Sequence, residues 1–323
     1  MTLPLATTAT PRRILVLGAT GTIGRAVVRA FAGRGDAVNV LVRRPATFAP
    51  GVIVRHGAAI DPAALCEAVV GVDAVISCLA SRSGAPADAW AVDHAANLAA
   101  LAAARGAGVG HFVLLSAICV QKPKLAFQHA KLAFEAELQA SGLRWSIVRP
   151  TAFFKSLSGQ MARVRRGQPF LVFGDGALTA CTPIGDDDLA AFIADCLDDP
   201  ARWDAVLPIG GPGPAMTPRE QGAALFAAAA REPRFRHVPV ALLDVIIAVL
   251  SLGGRLVPAL AAKAELARIG RYYATESMLV WDAASERYDA AATPATGTAT
   301  LADHYAALVA GDVADDRGDH AVF

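Results

Sequence analysis

Residues 13–24 read RILVLGATGTIG, a stretch in which an apolar run is followed by a glycine-rich turn. Its apolar start at 13–17 predicts a buried strand, and the glycine-rich turn after it opens a helix. Gly18 permits the tight turn, Gly21 lets the backbone approach a diphosphate, and Gly24 lets the helix pack closely on the strand. The spacing is G-x-x-G-x-x-G, and its place after the first strand favours nucleotide binding over a turn that only closes a strand–helix unit. The residues predicted to bind the cofactor here are Gly18, Thr20, Gly21, Thr22, Ile23 and Gly24.

Strands and helices alternate along the chain after this turn. The strands are continuously apolar, which indicates a parallel sheet covered on both faces. The sequence therefore predicts an α/β fold with a Rossmann-type, doubly wound sheet. The main strands are predicted at 13–17, 37–42, 73–80, 111–117, 145–153 and 206–211, and short strands at 171–173 and 182–185. Helices are predicted at 88–105, at 128–141, from Asp186 to about 198 and after Thr217.

Three parts are predicted along the chain. Residues 1–11 form a disordered tail. Residues 12–212 form an NADP-binding Rossmann domain, with insertions on the substrate side around 155–182. Residues 213–323 form a smaller, mostly helical substrate-binding region.

The composition excludes several classes of protein. With a net charge of +1 and 54% hydrophobic residues, the 323-residue chain is neither disordered nor a general nucleic-acid binder. Five cysteines without a C-x-x-C spacing argue against disulfides and zinc, and they predict buried, reduced thiols in a cytosolic protein. Asp186, Asp187 and Asp188 suit the first turn of a helix better than a metal site, so no metal is predicted.

Residues 240–250, VALLDVIIAVL, are apolar except for Asp244. The run is shorter than the ~20 residues needed to span a bilayer, so no transmembrane segment is predicted. A buried helix or the apolar wall of a ligand pocket is favoured. Contact with a membrane surface is less favoured, because no polar face rich in Lys and Arg accompanies the run.

Basic residues mark two places in the sequence. Arg43 and Arg44 follow the second strand, where an NAD-specific site usually has Asp or Glu, and they favour the 2′-phosphate of NADPH over a pair of solvated charges. Residues 118–170 hold a surplus of cations, which predicts either a solvated surface or a site for an anionic substrate beside the cofactor phosphates. These cations are Lys122, Lys124, Lys131, Arg144, Arg149, Lys155, Arg163, Arg165 and Arg166, against Glu135 and Glu137.

Several pieces of the sequence resemble the atypical short-chain dehydrogenase/reductases of the NmrA-like branch. They are GATGTIG (18–24), HFVLLSA (111–117), the isolated Lys131, IVRPTAFF (147–154) and TPIGDDDLA (182–190). A narrower match is stronger and covers nearly the whole chain after about residue 12. Three segments resemble those of the NADPH-dependent divinyl chlorophyllide 8-vinyl-reductases. They are SAICVQKPKLAFQHAKLAFE (116–135), RYYATESMLVWD (271–282) and TPATGTATLADHY (293–305).

The catalytic pattern departs from that of a typical short-chain dehydrogenase, which pairs a Tyr with a Lys four residues later, beside a Ser on the preceding strand. Lys131 and Ser116 match the Lys and the Ser, and both are predicted to be catalytic. Lys131 is expected at the start of a helix and partly exposed. Phe127 stands where the Tyr would be, and all four tyrosines lie near the C-terminus. This disfavours carbonyl reduction and leaves open the reduction of a carbon–carbon double bond.

The resemblance implies that NADPH reduces the 8-vinyl group of a 3,8-divinyl chlorophyllide or protochlorophyllide to ethyl, in chlorophyll or bacteriochlorophyll synthesis. Lys131 would orient the cofactor and stabilise negative charge on the macrocycle, with Lys131, a C-terminal tyrosine or water as proton donor. About a dozen residues before the first strand are too few for a transit peptide, which predicts a bacterial cytoplasmic protein. Peripheral contact with the photosynthetic membrane and the oligomeric state stay open. The rival functions are reduction of another apolar substrate, such as a quinone, and non-catalytic NADP sensing.

Overall fold

The computed structural model describes residues 11–83 and 85–312. Residues 1–10 of the predicted tail and the last part of the C-terminal region lie outside the described residues. In chain order the strands are β1 (Arg13–Leu17), β2 (Ala37–Val42), β3 (Ile53–His56), β4 (Ala74–Ser77), β5 (His111–Leu115), β6 (Arg144–Pro150), β7 (Phe170–Phe173), β8 (Ala205–Ile209), β9 (Phe235–Val238), β10 (Val280–Asp282) and β11 (Arg287–Asp289).

Helices connect and cover these strands. They are α1 (Thr22–Gly33), α2 (Pro62–Ala68), α3 (Pro86–Ala89), α4 (Asn97–Gly106), α5 (Ala126–Gln139), α6 (Phe154–Leu157), α7 (Met161–Arg165), α8 (Asp186–Asp195), α9 (Pro218–Ala228), α10 (Val240–Gly254), α11 (Pro258–Thr275) and α12 (Leu301–Ala310). A π-helical turn, Trp90–Ala96, joins α3 to α4, and a 3₁₀ turn, Ile118–Gln121, follows β5.

Seven parallel strands form the central sheet in the order β3-β2-β1-β4-β5-β6-β8. One face packs on α1 and α8 through residues such as Phe31 and Ile193, and the other packs on α2, α4 and α5 through residues such as Leu65 and Phe134. The predicted Rossmann-type, doubly wound α/β fold is therefore confirmed. The strand order reverses between β1 and β4, and ligands of such sheets bind in the crevice outside the carboxyl ends of strands at a switch point of this kind.

The structure differs from the sequence prediction at three places. β3 was not predicted, because IVRH is a mostly exposed edge strand without a continuous apolar run. The helix predicted at 88–105 is interrupted by the π turn, where the side-chain amide of Asn97 donates to the backbone carbonyls of Val92 and Asp93. The strand predicted at 182–185 is a single bridge between Phe153 and Ile184.

The C-terminal region is mostly helical, as predicted, and has a core of its own. Residues of α9 and α12 pack there with residues of the insertion, including Phe154 and Met161. The insertion and the C-terminal region also share a two-stranded parallel sheet of β7 and β9. The boundary predicted at residue 212 stays a prediction, because this core contains residues from both sides of it.

Of the two alternatives for residues 240–250, the buried helix is wrong for α10, and the apolar wall of a ligand pocket stays a prediction. No described residue of this helix is buried, and Val249 and Leu252 are each 66% exposed. The helix packs mainly against α11, where its Asp244 and Ser251 accept bonds from Arg271 and Arg268. Its opposite face is left uncovered for that reason. No helix in the described part of the chain is both long and apolar enough to cross a membrane.

The prediction of buried thiols holds for three of the five cysteines. Cys119, Cys181 and Cys196 are buried, whereas Cys66 is exposed and Cys78 half-buried. Cys66 lies on α2, whose inner face is provided by Leu65 and Ala68 instead. All five are free.

Candidate active site

The glycine-rich turn lies at the carboxyl edge of the sheet, between β1 and α1. Gly18 adopts φ +72°, and a Cβ there would lie 2.6 Å from the carbonyl carbon of Cys78. A Cβ on Gly24 would lie 2.9 Å from the Cα of Ala19, so α1 can approach the turn only with glycine at this position. A Cβ on Gly21 would meet only the Gly18 oxygen, at 3.4 Å. Two glycines thus allow close packing, and the third leaves the backbone open to a ligand.

The N-terminus of α1 completes a cradle for an anion. First-turn N–H groups have no carbonyl partner within a helix, and no side chain caps α1 at Gly21. Thr22 and Ile23 open the helix, with the Ile23 side chain buried and the exposed Thr20 just before them. The residues present therefore fit the diphosphate of a dinucleotide.

Arg43 and Arg44 lie just beyond the carboxyl end of β2, next to β1. Both are exposed, and neither side chain makes a hydrogen bond or ion pair with the described residues. Arg43 interacts electrostatically with the carboxylate of Asp88. Burial opposes ionisation of that carboxyl, but hydrogen bonds from Ser83 and Arg82 and the Arg43 charge together lower its pKa. The two guanidinium groups are free to bind an added anion.

Lys131 is buried, contrary to the expectation of a partly exposed residue at the start of a helix. It lies in the second turn of α5, and its side chain is 10% exposed. Its Nζ lies 2.9 Å from Oδ1 of Asp93, whose side chain is 1% exposed. Burial raises the pKa of Cys78 to about 12, and the charge of Lys131 opposes this rise. Burial also raises the pKa of Cys119, and the charge of Lys131 again opposes the rise. Because Cys78 follows β4 and Cys119 follows β5, the ammonium lies near the chain after both strands.

The π turn positions Asp93. Asn97 donates to the Asp93 carbonyl oxygen at 3.1 Å and accepts a hydrogen bond from Ser77 at 2.5 Å. A second carboxylate oxygen of Asp93 accepts from the backbone of Ser81, at 3.4 Å. Asp93 was missed in the sequence, although an acid within the Ala-rich stretch 88–105 is a signal for a buried, paired charge.

Ser116 follows β5 directly and is buried. Its hydroxyl donates to Oε1 of Glu135 at 2.5 Å, and Arg149 forms an ion pair with the same carboxylate. Glu135 comes from α5 and Arg149 from β6, so the sheet edge and the helix hold the hydroxyl together. The structure brings both Ser116 and Lys131 to the carboxyl edge of the sheet.

Comparison with known proteins assigns this chain to a family. Residues 18–200 match the NAD(P)H-binding family model. A protein from Zea mays named divinyl chlorophyllide a 8-vinyl-reductase, chloroplastic, is 47% identical over 98% of this chain and 84% of its own length. A protein of the same name from Arabidopsis thaliana is 45% identical over 92% of this chain and 76% of its own length. The chain belongs to the divinyl chlorophyllide a 8-vinyl-reductase family.

A solved structure of another reductase shares the fold. The NADPH-dependent quinone oxidoreductase from Escherichia coli, in complex with NADPH, superposes with a TM-score of 0.67 at 20% identity, over 91% of this chain and 99% of that one. At this identity the likeness concerns the fold alone. The chain is thus an NAD(P)H-binding member of the vinyl-reductase family, and the resemblance seen in the sequence is confirmed.

Two of the three segments that carry the family resemblance, 116–135 and 271–282, contact each other in the structure. Gln121, in the first segment, donates to the Leu279 carbonyl at 2.5 Å and accepts from the Trp281 backbone at 2.8 Å. Lys122 lies over the Trp281 ring, 3.9 Å from its centroid, and pairs with Glu276 at 2.8 Å. The segment typical of this family therefore docks the C-terminal region onto the chain after β5.

Glu276 is the centre of that contact. It is buried and accepts hydrogen bonds from Lys122, Lys124 and Tyr288. Burial alone would raise its pKa, but these three donors outweigh burial and lower the pKa to about 2. The carboxylate stays ionised at neutral pH and holds both lysines.

Three of the four tyrosine hydroxyls donate hydrogen bonds to oxygen atoms of the protein. Tyr272 donates to the Cys119 carbonyl at 2.9 Å, Tyr288 to Glu276 at 2.7 Å, and Tyr305 to the Leu157 carbonyl at 3.0 Å. Tyr273 differs, because its hydroxyl contacts the sulfur of Cys119, at 3.7 Å. Phe127 packs against the cluster of Cys119, Leu125 and Tyr272, so α11 brings aromatic residues to the side of α5 where the usual Tyr is missing.

The cation surplus at 118–170 is largely satisfied within the protein. Carboxylates pair with Lys122, Lys124, Lys131 and Arg149. Arg144 stacks on Trp203 at the amino end of β6, and backbone carbonyls accept from Arg163 and Arg165. Lys155 donates instead to a neutral hydroxyl, that of Thr22.

Two of the three aspartates at the start of α8 have structural partners, whereas Oδ1 of Asp186 is buried without a hydrogen-bond partner among the described residues. Asp187 pairs with Arg29 at 2.6 Å, and Asp188 accepts from the backbones of Thr298 and Ala299. Burial raises the pKa of Asp186, and the charge of Lys155 opposes this. No group of three or more His, Cys, Asp or Glu in the described residues is arranged to hold a metal ion.

Proposed function

We propose that the protein reduces the 8-vinyl group of divinyl chlorophyllide a, or of divinyl protochlorophyllide a, to an ethyl group with NADPH. The observation that carries this proposal is the 47% identity, over 98% of the chain, to a protein named for that reaction. NADPH, when bound, supplies the hydride. A proton must also be added, so that the vinyl group gains two hydrogens and NADP⁺ is left.

Lys131 supplies a fixed positive charge to this site. Its ion pair with Asp93 holds the ammonium at the carboxyl edge of the sheet, near the chain after β4 and after β5. Addition of hydride to a vinyl carbon pushes negative charge into the conjugated macrocycle. A preorganised cation in a dry site stabilises such developing charge. Ser116, held by Glu135, is the second residue that we place in the catalytic site.

Tyr273 is the tyrosine that we propose as proton donor. The other three tyrosine hydroxyls donate to protein oxygens, whereas among the described residues the hydroxyl of Tyr273 contacts only the Cys119 sulfur. Burial raises the pKa of Tyr273 well above its usual range, so the phenol keeps its proton at neutral pH. A general acid must carry its proton before the reaction, as every tyrosine does at neutral pH, and Tyr273 is singled out by its hydroxyl contact and not by its pKa.

Arg43 and Arg44 are proposed to select NADPH. They lie beyond β2 without an ion-pair partner in the described residues, and no acidic residue stands beside them in sequence. Guanidinium groups bind phosphate through strong, charge-assisted hydrogen bonds. The six residues of the glycine-rich turn would hold the diphosphate of the same cofactor.

An anaerobic incubation tests the function directly. The purified protein is mixed with NADPH and divinyl chlorophyllide a, and the pigments are separated by chromatography. We expect the 8-ethyl product, with one NADPH oxidised for each vinyl group reduced. A parallel incubation contains a quinone in place of the pigment. Unchanged pigment in the first incubation together with reduced quinone in the second would assign the chain to another substrate. NADPH binding without any turnover of either would point to a sensor.

The cellular setting is proposed from the sequence: the cytoplasm of a bacterium that makes chlorophyll or bacteriochlorophyll, with peripheral contact to its photosynthetic membrane. The uncovered apolar face of α10 supports such contact, since Leu242, Val249 and Leu252 are all exposed. Sedimentation with neutral lipid vesicles tests it, because few charges accompany this face. Changing Leu242, Val249 and Leu252 together to Ser should abolish binding, and equal binding of both forms would exclude α10 as the contact.

A further inference from the structure

Lys155 makes a contact that its own charge does not explain. It lies on α6, directly after the chain leaves β6, and its Nζ donates to Oγ1 of Thr22 at 2.9 Å. Thr22 is the first residue of α1, in the glycine-rich turn. The partner is a neutral hydroxyl, whereas the other lysines of 118–170 pair with carboxylates.

The position of this cation is electrostatically unfavourable as it stands. The N-terminus of a helix carries partial positive charge, and a lysine belongs at the opposite end. The ammonium of Lys155 nevertheless lies at the first residue of α1, a helix of 12 residues. Two positive groups that converge on one place are stabilised when an anion lies between them.

The nearest carboxylate does not supply that anion. Asp186, at the start of α8, feels the charge of Lys155, which lowers its pKa against the larger effect of burial. No ion pair joins the two among the described residues, and Oδ1 of Asp186 is buried without a hydrogen-bond partner. Lys155 thus keeps its charge directed at Thr22.

We propose that Lys155 is a ligand of the cofactor diphosphate. In this arrangement the ammonium and the first-turn N–H groups of α1 bind the diphosphate from two sides, and the Thr22 hydroxyl keeps the lysine in place. Lys155 comes from a different part of the chain than the glycine motif, so the motif alone does not predict it. The inference rests on NAD(P)H binding and does not depend on which pigment the protein reduces.

Binding measurements with two ligands test this role. NADPH contains the diphosphate, whereas 2′-AMP carries only the adenosine and its 2′-phosphate. Affinities are measured by fluorescence or calorimetry for the wild type and for Lys155→Met, at low and at high salt. A lost charge-assisted hydrogen bond predicts a rise in the NADPH Kd of about tenfold or more, with little change in the Kd for 2′-AMP. The salt dependence of NADPH binding should become weaker as well.

Matched variants separate a ligand from a structural clasp. Lys263→Met removes an exposed lysine on α11 and should leave both affinities unchanged. Lys155→Arg should keep most of the NADPH affinity, and Lys155→Gln, which keeps a donor without charge, should behave like Lys155→Met. Thermal unfolding without ligand reports on folding, and Lys155→Gln replaces Lys155→Met if the latter fails to fold.

Two results would overturn the proposal. One is an unchanged NADPH Kd in both neutral variants. The other is an equal loss of NADPH and 2′-AMP affinity, which would mean that Lys155 supports the turn as a whole. Neither result bears on the pigment assay, so the failure of this inference and the failure of the vinyl-reductase function are distinguishable.

Discussion

At the scale of single residues, Lys131 carries the sharpest prediction. Lys131→Met should lower turnover by about 10²-fold or more at saturating NADPH, as loss of a preorganised electrostatic contact does. It should also destabilise the protein by about 3–5 kcal/mol, because the buried carboxylate of Asp93 loses its partner. Denaturant unfolding and steady-state pigment assays measure the two effects.

The double variant Lys131→Met/Asp93→Asn is the control for this pair. It removes the unpaired charge, so stability should largely return while turnover stays low. Recovery of turnover along with stability would show that Lys131 acts only through folding. Near-normal turnover in a folded single variant would likewise remove Lys131 from the chemistry.

Tyr273 is tested against Tyr272, its neighbour on α11. Tyr273→Phe should reduce turnover by about 10²–10⁴-fold, the usual contribution of a general acid, and should leave NADPH affinity unchanged. Tyr272→Phe removes a hydrogen bond to the Cys119 carbonyl and should cost about 1 kcal/mol of stability, with a smaller effect on turnover. Full turnover in Tyr273→Phe would assign proton delivery to Lys131 or to solvent.

The arginines after β2 are expected to set cofactor choice. Replacing Arg43 and Arg44 together by Ala should reduce the ratio of NADPH to NADH affinity by at least about tenfold, because charge-assisted contacts to the 2′-phosphate are lost. NADH affinity should change little. Arg105→Ala, on the exposed end of α4, is the matched control. A double variant that keeps its full preference would refute the assignment.

At the scale of secondary-structure elements, the contact between α11 and the 3₁₀ turn after β5 is a pH-sensitive joint. The pKa of Glu276 is lowered to about 2 in the folded protein, below its unfolded value. The stabilisation is therefore complete above the ordinary carboxyl pKa of about 4.3 and is lost as the pH falls toward 2.

Thermal unfolding of the wild type and Glu276→Gln across this range checks the joint. The difference in Tm should be constant above about pH 5.5 and should shrink steadily below about pH 4.5. Because both proteins share every other titrating group, the difference isolates Glu276. A difference that does not vary with pH would mean that Lys122 and Lys124 do not depend on this carboxylate.

Helix α10 shows the limit of reasoning from one element. Its apolar sequence indicated burial, because an apolar helix in a soluble protein usually lies in the core. The structure leaves Val245, Val249 and Leu252 exposed, since α10 packs mainly against α11. The hydrophobicity of a helix indicates that one of its faces packs against something apolar. Only the tertiary structure shows whether another part of the same chain covers that face.

At the scale of the whole molecule, the amino-acid sequence alone was enough to predict the fold and the binding of NAD(P)H. A continuously apolar strand, the turn Gly18–Gly24 and the helix after it act through local geometry, so neighbouring residues suffice to predict them. The family was determined in the same way, by segments read directly from the chain.

The side chains that meet at the site could be identified only from the folded chain. Lys131 and Asp93 lie on different helices, Ser116 and Glu135 on different elements, and Lys155 reaches Thr22 from 133 positions away. Sequence patterns report spacing along one strand or helix, whereas these contacts depend on how parallel strands bring their carboxyl ends to one edge. For that reason the burial of Lys131 and the position of Lys155 at the N-terminus of α1 became visible only in the folded chain.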